Sequence, residues 1–233
     1  MPRRACRIIS FSGIDGAGKS TQIDALISCL KSNGAQFQVY RFWDDAVAFR
    51  KFREKISLAV FRGDKGIGSP EKPIRRRDKN VVAWYLTALR LVLYTFDALK
   101  LRSLVARVRQ SESLIIFDRY LYDELANLPL ANSFVCSYVR FLVRMVPAPE
   151  VALLLDADPE SATKRKPEYP LDFVHRNRAA YMSVSRLARM TIVPPGPIDP
   201  TSAYIRELLR AKGLQPDIAS RAETVEVPYF QAS

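Results

Sequence analysis

The sequence predicts an α/β fold, a parallel sheet with helices on both faces. Three observations carry this. Short apolar runs at residues 7–12, 114–117, 151–155 and 190–193 have the length and composition of buried strands, with a further strand over 36–42. Stretches with apolar residues at helical spacing alternate with them. Between the first strand and the first helix stands Gly13-Ile14-Asp15-Gly16-Ala17-Gly18-Lys19-Ser20, which fits G-x-x-x-x-G-K-[ST], the phosphate-binding P-loop.

The loop sets the chemistry. Gly13, Gly16 and Gly18 can take backbone angles that a side chain would block. Successive N–H groups then turn onto an anion at a helix N-terminus. Lys19 would reach the β- and γ-phosphates of ATP, and the Ser20 hydroxyl would bind Mg²⁺. The helix over 21–31 stops at Gly34.

The remaining elements follow in order. The strand over 36–42 ends at Trp43-Asp44-Asp45, and residues 46–60 read as a basic helix. Residues 62–80 carry Gly63, Gly66, Gly68, Pro70 and Pro73 among charges and predict a mobile basic loop. Residues 81–108 form one or two long helices on the sheet; Arg90, Asp97, Lys100 and Arg102 interrupt the ~20-residue apolar run a membrane span needs. The strand at 114–117 delivers Asp118-Arg119-Tyr120 to its C-terminal end, the edge where open α/β sheets bind ligands. A helix over 134–145 stops at Pro147 and Pro149. The strand at 151–155 ends at Asp156, a helix runs over 159–166, and Pro167 and Pro170 break it. Residues 173–189 are helical again; a last strand, a loop at 194–197 and a helix over 201–212 close the domain. Residues 1–212 are thus one domain, with a polar tail over 213–233.

Composition narrows the function. Cys6, Cys29 and Cys136 are dispersed and odd in number, and no signal peptide is visible, so reduced thiols in a cytoplasmic protein are expected. His175 is the lone histidine, without a G-x-S-x-G elbow, and reads as a solvated helix residue rather than part of a hydrolase triad. The formal charge is +12. Residues 50–79 hold eleven Lys/Arg and four Asp/Glu, a net of +7, which suits nucleotide phosphates, nucleic acid or an anionic membrane surface, or else is a solvated face.

Three segments together resemble the thymidylate kinase family of nucleoside monophosphate kinases. They are Phe11 to Thr21 with its acidic Asp15; Phe117-Asp118-Arg119-Tyr120 with Ala126; and the stretch from Leu155 through Pro159-Glu160 and Lys164-Arg165 to Phe173, Arg176, Arg178 and Tyr181, similar to the family's LID. The resemblance implies an ATP-binding set of Gly13, Asp15, Gly16, Ala17, Gly18, Lys19, Ser20 and Thr21. It places Asp15, Phe96, Arg119 and Tyr120 at the acceptor, and Ser20 and Asp118 at Mg²⁺. Lys19, Asp118, Arg119 and Arg165 become the catalytic residues, with 164–178 the LID-like segment. It implies transfer from ATP to a small nucleotide, dTMP first, with no obligatory nucleic acid and no transmembrane segment; a homodimer is compatible with it. The acceptor side departs from the family. Arg41-Phe42-Trp43-Asp44-Asp45 stands where the family has Arg-Glu-Pro-Gly-Gly, and an ungapped count from Asp118 puts Asp97 near a family arginine. The alternatives are a P-loop kinase for another small acceptor, or a non-catalytic nucleotide-binding module engaging an acidic partner through residues 50–79.

Overall fold

The structure, a computed structural model, describes residues 7–49, 53, 84–111 and 113–214. The expected loop at 62–80, most of the basic segment and the tail from 215 lie outside them.

Five strands, β1 (Arg7–Ser12), β2 (Phe37–Arg41), β3 (Leu114–Asp118), β4 (Val151–Leu155) and β5 (Thr191–Val193), form one sheet in the order β2-β3-β1-β4-β5. Every pairing is parallel, with Ile9 opposite Ile116 and Val151. The two-residue alternation of strands sends Ile8 to one face and Ile9 and Phe11 to the other. Helices α1 (Lys19–Ser32) and α7 (Ile198–Ala211) cover the second face through Ile23, Leu26, Leu30, Ile205 and Leu209. Helices α2 (Trp84–Val108), α4 (Ser133–Met145) and α6 (Leu171–Ala188) cover the first through Leu101, Val105, Val139, Leu142 and Val184. Two short helices, α3 (Leu121–Leu125) and α5 (Pro159–Arg165), sit at the C-terminal edge.

The long apolar segment is one helix from Trp84. At its stop, α1 turns through Gly34 at φ 64°, and Ala35 N–H donates to Leu30 O at 3.0 Å. The final helix opens at Ile198, three residues before the expected start, because Pro200 in the first turn lacks an N–H that has no intrahelical partner there. The helix expected over 46–60 is not formed at its start. Phe42–Ala46 is a single π-type turn and Val47 is extended. Asp45 accepts from Arg41 N–H at 2.7 Å and Asp97 from Ala48 N–H at 2.7 Å, so the two carboxylates hold the chain in this irregular turn. Arg53 is helical; the rest of that stretch lies outside the described residues. The short α3 turn carries no apolar period of its own; Asp123 makes it by accepting from Tyr120 N–H at 3.0 Å.

Candidate active site

Strand order reverses about β1, so the ends of β1, β3 and β4 make the crevice where doubly wound sheets hold ligands. The P-loop leaves β1 into it. A Cβ on Gly13, at φ 146°, would stand 2.5 Å from Leu155 O, the end of β4. A Cβ on Gly16, at φ 84°, would collide with the backbone of Ala162 in α5. Glycine is required there because α5 rests on the loop, a contact no local pattern announces. Gly18, also left-handed, caps α1.

Lys19 is buried, and its Nζ donates to Gly13 O at 2.7 Å and Ile14 O at 2.8 Å. Burial, helped by the Arg119 guanidinium, lowers its pKa to about 7, against the pull of Asp15, Asp123 and Asp118. The ammonium is thus folded back on its own loop, in the place a phosphate would neutralise. Ser20 and Thr21 are exposed at the start of α1.

Arg119 follows β3 in the left-handed region, φ 68°, an uncommon conformation for a branched-free long side chain and one that aims it across the crevice. Its N–H donates to Phe11 O at 2.9 Å, tying it to β1. The guanidinium pairs with Asp15 of the P-loop and, at 3.3 Å, with Asp123. Burial opposes the charge, but Asp15, then Tyr181, Asp123 and Asp118, more than restore it and raise the pKa well above its ordinary value.

Asp123 is the residue the sequence reading missed. It is 2% exposed and gathers four donors: Ser12 Oγ at 2.6 Å, Tyr120 N–H at 3.0 Å, Tyr181 Oη at 2.9 Å and Arg119. One carboxylate therefore joins β1, α3, α6 and the arginine. The available signal was its position three residues after the Tyr120 N-cap, which explains only one of the four contacts.

Arg165 is exposed at the end of α5. The cation brought toward the loop is Lys166, 3.9 Å from Asp15 and 3.3 Å from Glu168. Arg178 makes a bidentate pair with Asp156 at 2.6 Å, and His175 is exposed beside Glu160, as a solvated helix residue.

Two residues expected at the acceptor sit as follows. Tyr120 is fully buried: its hydroxyl donates to Pro147 O at 2.6 Å and its ring lies 5.3 Å from that of Phe117. Phe96 packs edge to face on Phe49 and is exposed on the outward side of α2. Its neighbour Asp97 points the other way and is wholly buried, accepting from Ala48 N–H and pairing with Arg53 at 2.6 Å. Arg53 also reaches Glu124 at 3.5 Å and lies over the ring of Trp43. Burial pushes the Asp97 carboxyl up, against the pull of Arg53, while Glu124 and Asp97 raise Arg53 despite its own burial. An arginine thus does stand beside Asp97, supplied from 44 residues earlier in the chain.

Ser20 and Asp118 bring only hard oxygen donors to this edge, a donor set that fits Mg²⁺, which keeps several waters and takes few protein ligands.

The fold and the loop define an α/β P-loop kinase architecture. No protein-family model matches the chain. It is 25% identical to the thymidylate kinase of Pelodictyon phaeoclathratiforme over 228 residues, covering 88% of this chain and 95% of that one. It is 22% identical to a probable thymidylate kinase of Archaeoglobus fulgidus, with the same coverage. In structure it matches the thymidylate kinase of Candida albicans with a TM-score of 0.60 at 17% identity, covering 90% of this chain and 93% of that one. The enzyme of Ehrlichia chaffeensis gives a TM-score of 0.57 at 15% identity, covering 88% and 99%. The chain is thus similar, over most of its length, to proteins named thymidylate kinase.

Proposed function

We propose that the chain transfers the γ-phosphoryl group of ATP to a nucleoside monophosphate, with dTMP the first acceptor to test. The observation that carries this is Arg119, held by Asp15 and Asp123 at the sheet edge that also carries Lys19. An oxygen of the acceptor phosphate attacks the γ-phosphorus, the bond to the β-bridging oxygen breaks, and ADP leaves. Such a transfer is positioning and charge neutralisation, which needs cations and a carboxylate rather than a histidine. Lys19 exchanges its loop carbonyls for the β- and γ-phosphates. Arg119 offers its fork to the acceptor phosphate, with Asp15 and Asp123 fixing its plane. Arg165 or Lys166 approaches the transferred group when the LID closes. Mg²⁺, held from Ser20 with Asp118 near it, would neutralise the β- and γ-oxygens.

A second acceptor is favoured by the Asp97–Arg53 pair. A buried ion pair stands near a position where the resembled family has an arginine, so that position offers no free cation to an acceptor. ADP release measured across nucleoside monophosphates, nucleosides and phosphosugars tests both readings, with Lys19→Ala as the blank. Turnover of dTMP supports the first. Turnover of another acceptor alone selects the second, and ATP binding with no turnover on any acceptor rejects both.

A further inference from the structure

The four donors on the Asp123 carboxylate are not held equally. Each carboxylate oxygen has two lone pairs, so four donors fill the group. Oδ2 accepts from Ser12 Oγ at 2.6 Å and from Tyr120 N–H at 3.0 Å. Oδ1 accepts from Tyr181 Oη at 2.9 Å and from Arg119 Nη1 at 3.3 Å. A guanidinium free to settle on a carboxylate comes to about 2.7–2.9 Å. The contact of Arg119 is the longest of the four, and the oxygen it uses is the one that Tyr181 already occupies. Tyr181 is 3% exposed in α6 and stands 58 residues beyond Asp123. Burial, then the negative charge of Asp123, raise its pKa well above the usual value, so it is a neutral phenol that donates.

The other end of the Arg119 guanidinium pairs with Asp15, and the side chain is still 19% exposed. A phosphate that is to use the arginine fork must therefore compete with two carboxylates. Tyr181 weakens one of these competitors. Its hydroxyl fills a lone pair of Oδ1 and leaves Nη1 at the longer distance. Without that hydroxyl, Nη1 would close on Oδ1 and the fork would turn from the crevice toward α3. We propose that Tyr181 is a positioning residue for Arg119: its hydroxyl keeps the guanidinium from collapsing onto Asp123 and leaves the fork open to the phosphate of a nucleoside monophosphate. The inference rests on the proposed function and adds a residue of α6 to the acceptor side.

The test is steady-state transfer from ATP to dTMP, or to whichever nucleoside monophosphate the wild type turns over, by the full chain carrying Tyr181→Phe, Asp123→Asn or both. Tyr181→Phe should raise the acceptor KM about tenfold, the effect of one hydrogen bond to a charged group. The kcat, the KM for ATP and the melting temperature should stay near their wild-type values. Asp123→Asn removes the anion onto which Arg119 would collapse. Adding Tyr181→Phe to it should therefore leave the acceptor KM where Asp123→Asn alone puts it. A loss shared equally by both substrates, with a lower melting temperature, would make the hydroxyl a structural tie and overturn the inference. So would an equal effect of Tyr181→Phe with and without the Asp123 carboxylate. If Tyr181→Phe does not fold, 3-fluorotyrosine in place of Tyr181, a stronger hydroxyl donor of nearly the same size, should lower the acceptor KM, and an unchanged value overturns the inference. A wild type that turns over no acceptor rejects the kinase reading and the inference with it. An active wild type whose Tyr181→Phe variant keeps its acceptor KM rejects the inference alone.

Discussion

At the scale of single residues, the site is a set of charges that neutralise one another until a ligand arrives. Lys19 shows this most directly. Its ammonium is dry, its pKa is held at about 7, and the unfolded chain would keep it protonated to its ordinary 10.5. Below pH 7 both states carry the proton and the full cost of burying the charge is present; as pH rises from 7 toward 10.5 the folded state alone is neutral and that cost is progressively relieved. A bound triphosphate restores the charge, so nucleotide binding near pH 8 should take up protons, approaching one per site. Calorimetry in buffers of different ionisation enthalpy measures this, and Lys19→Met should abolish the uptake. In turnover, Lys19→Ala should cost at least ~10³-fold with the fold intact, because the interaction is made chiefly in the transition state. Asp97 yields the opposite expectation from the one its helix position suggests. Arginine there would restore a family-like charge if the site were open, but the carboxylate is buried against Arg53. Asp97→Arg should therefore destabilise the protein by about 3–5 kcal/mol, as unpaired buried charges do, and a denaturant titration with unchanged midpoint would show that the pair is dispensable.

At the scale of elements, helix α5 and the P-loop are in direct backbone contact. Helix α5 lies on Gly16 through Ala162, and Lys166 at its end faces Asp15. Gly16→Ala places a methyl into the Ala162 backbone and imposes a left-handed alanine. The expected outcome is a displaced LID, seen as faster amide exchange over residues 159–166, with ATP turnover reduced by more than tenfold. In the wild type, an ATP analogue with acceptor should slow exchange over residues 164–178; equal protection with and without ligand would count against closure. The elements themselves were largely legible. Strand β4 and helix α4 stand where the apolar runs and flanking prolines put them, since period and breakers are local properties. The turn after β2 was not, because Asp45 and Asp97 redirect its backbone donors and one of those acids comes from another element.

At the scale of the whole molecule, ligand binding and stability are linked through the crevice. The loop, Arg119 and Lys166 come from β1, β3 and the segment after β4, so a ligand bridging them would tie the sheet edge together. ATP with Mg²⁺ at about 100 times its Kd should add about 2.7 kcal/mol, a rise of several degrees in a thermal melt. Lys19→Ala should lose most of that rise; a melt insensitive to nucleotide in the wild type would reject the P-loop as its site. The sequence by itself determined the parallel sheet, the phosphate loop and the delivery of Asp118 and Arg119 to the ligand edge, because each is written in a contiguous run whose period, glycines or charge act locally. The tertiary structure alone decided that Asp123 holds Arg119 and Tyr181 together, that Tyr120 is core, that Arg53 answers Asp97, and that Gly16 must stay bare beneath α5. Those partners lie up to 146 residues apart, Gly16 to Ala162, and their meeting depends on how helices close over the sheet, which no local spacing encodes.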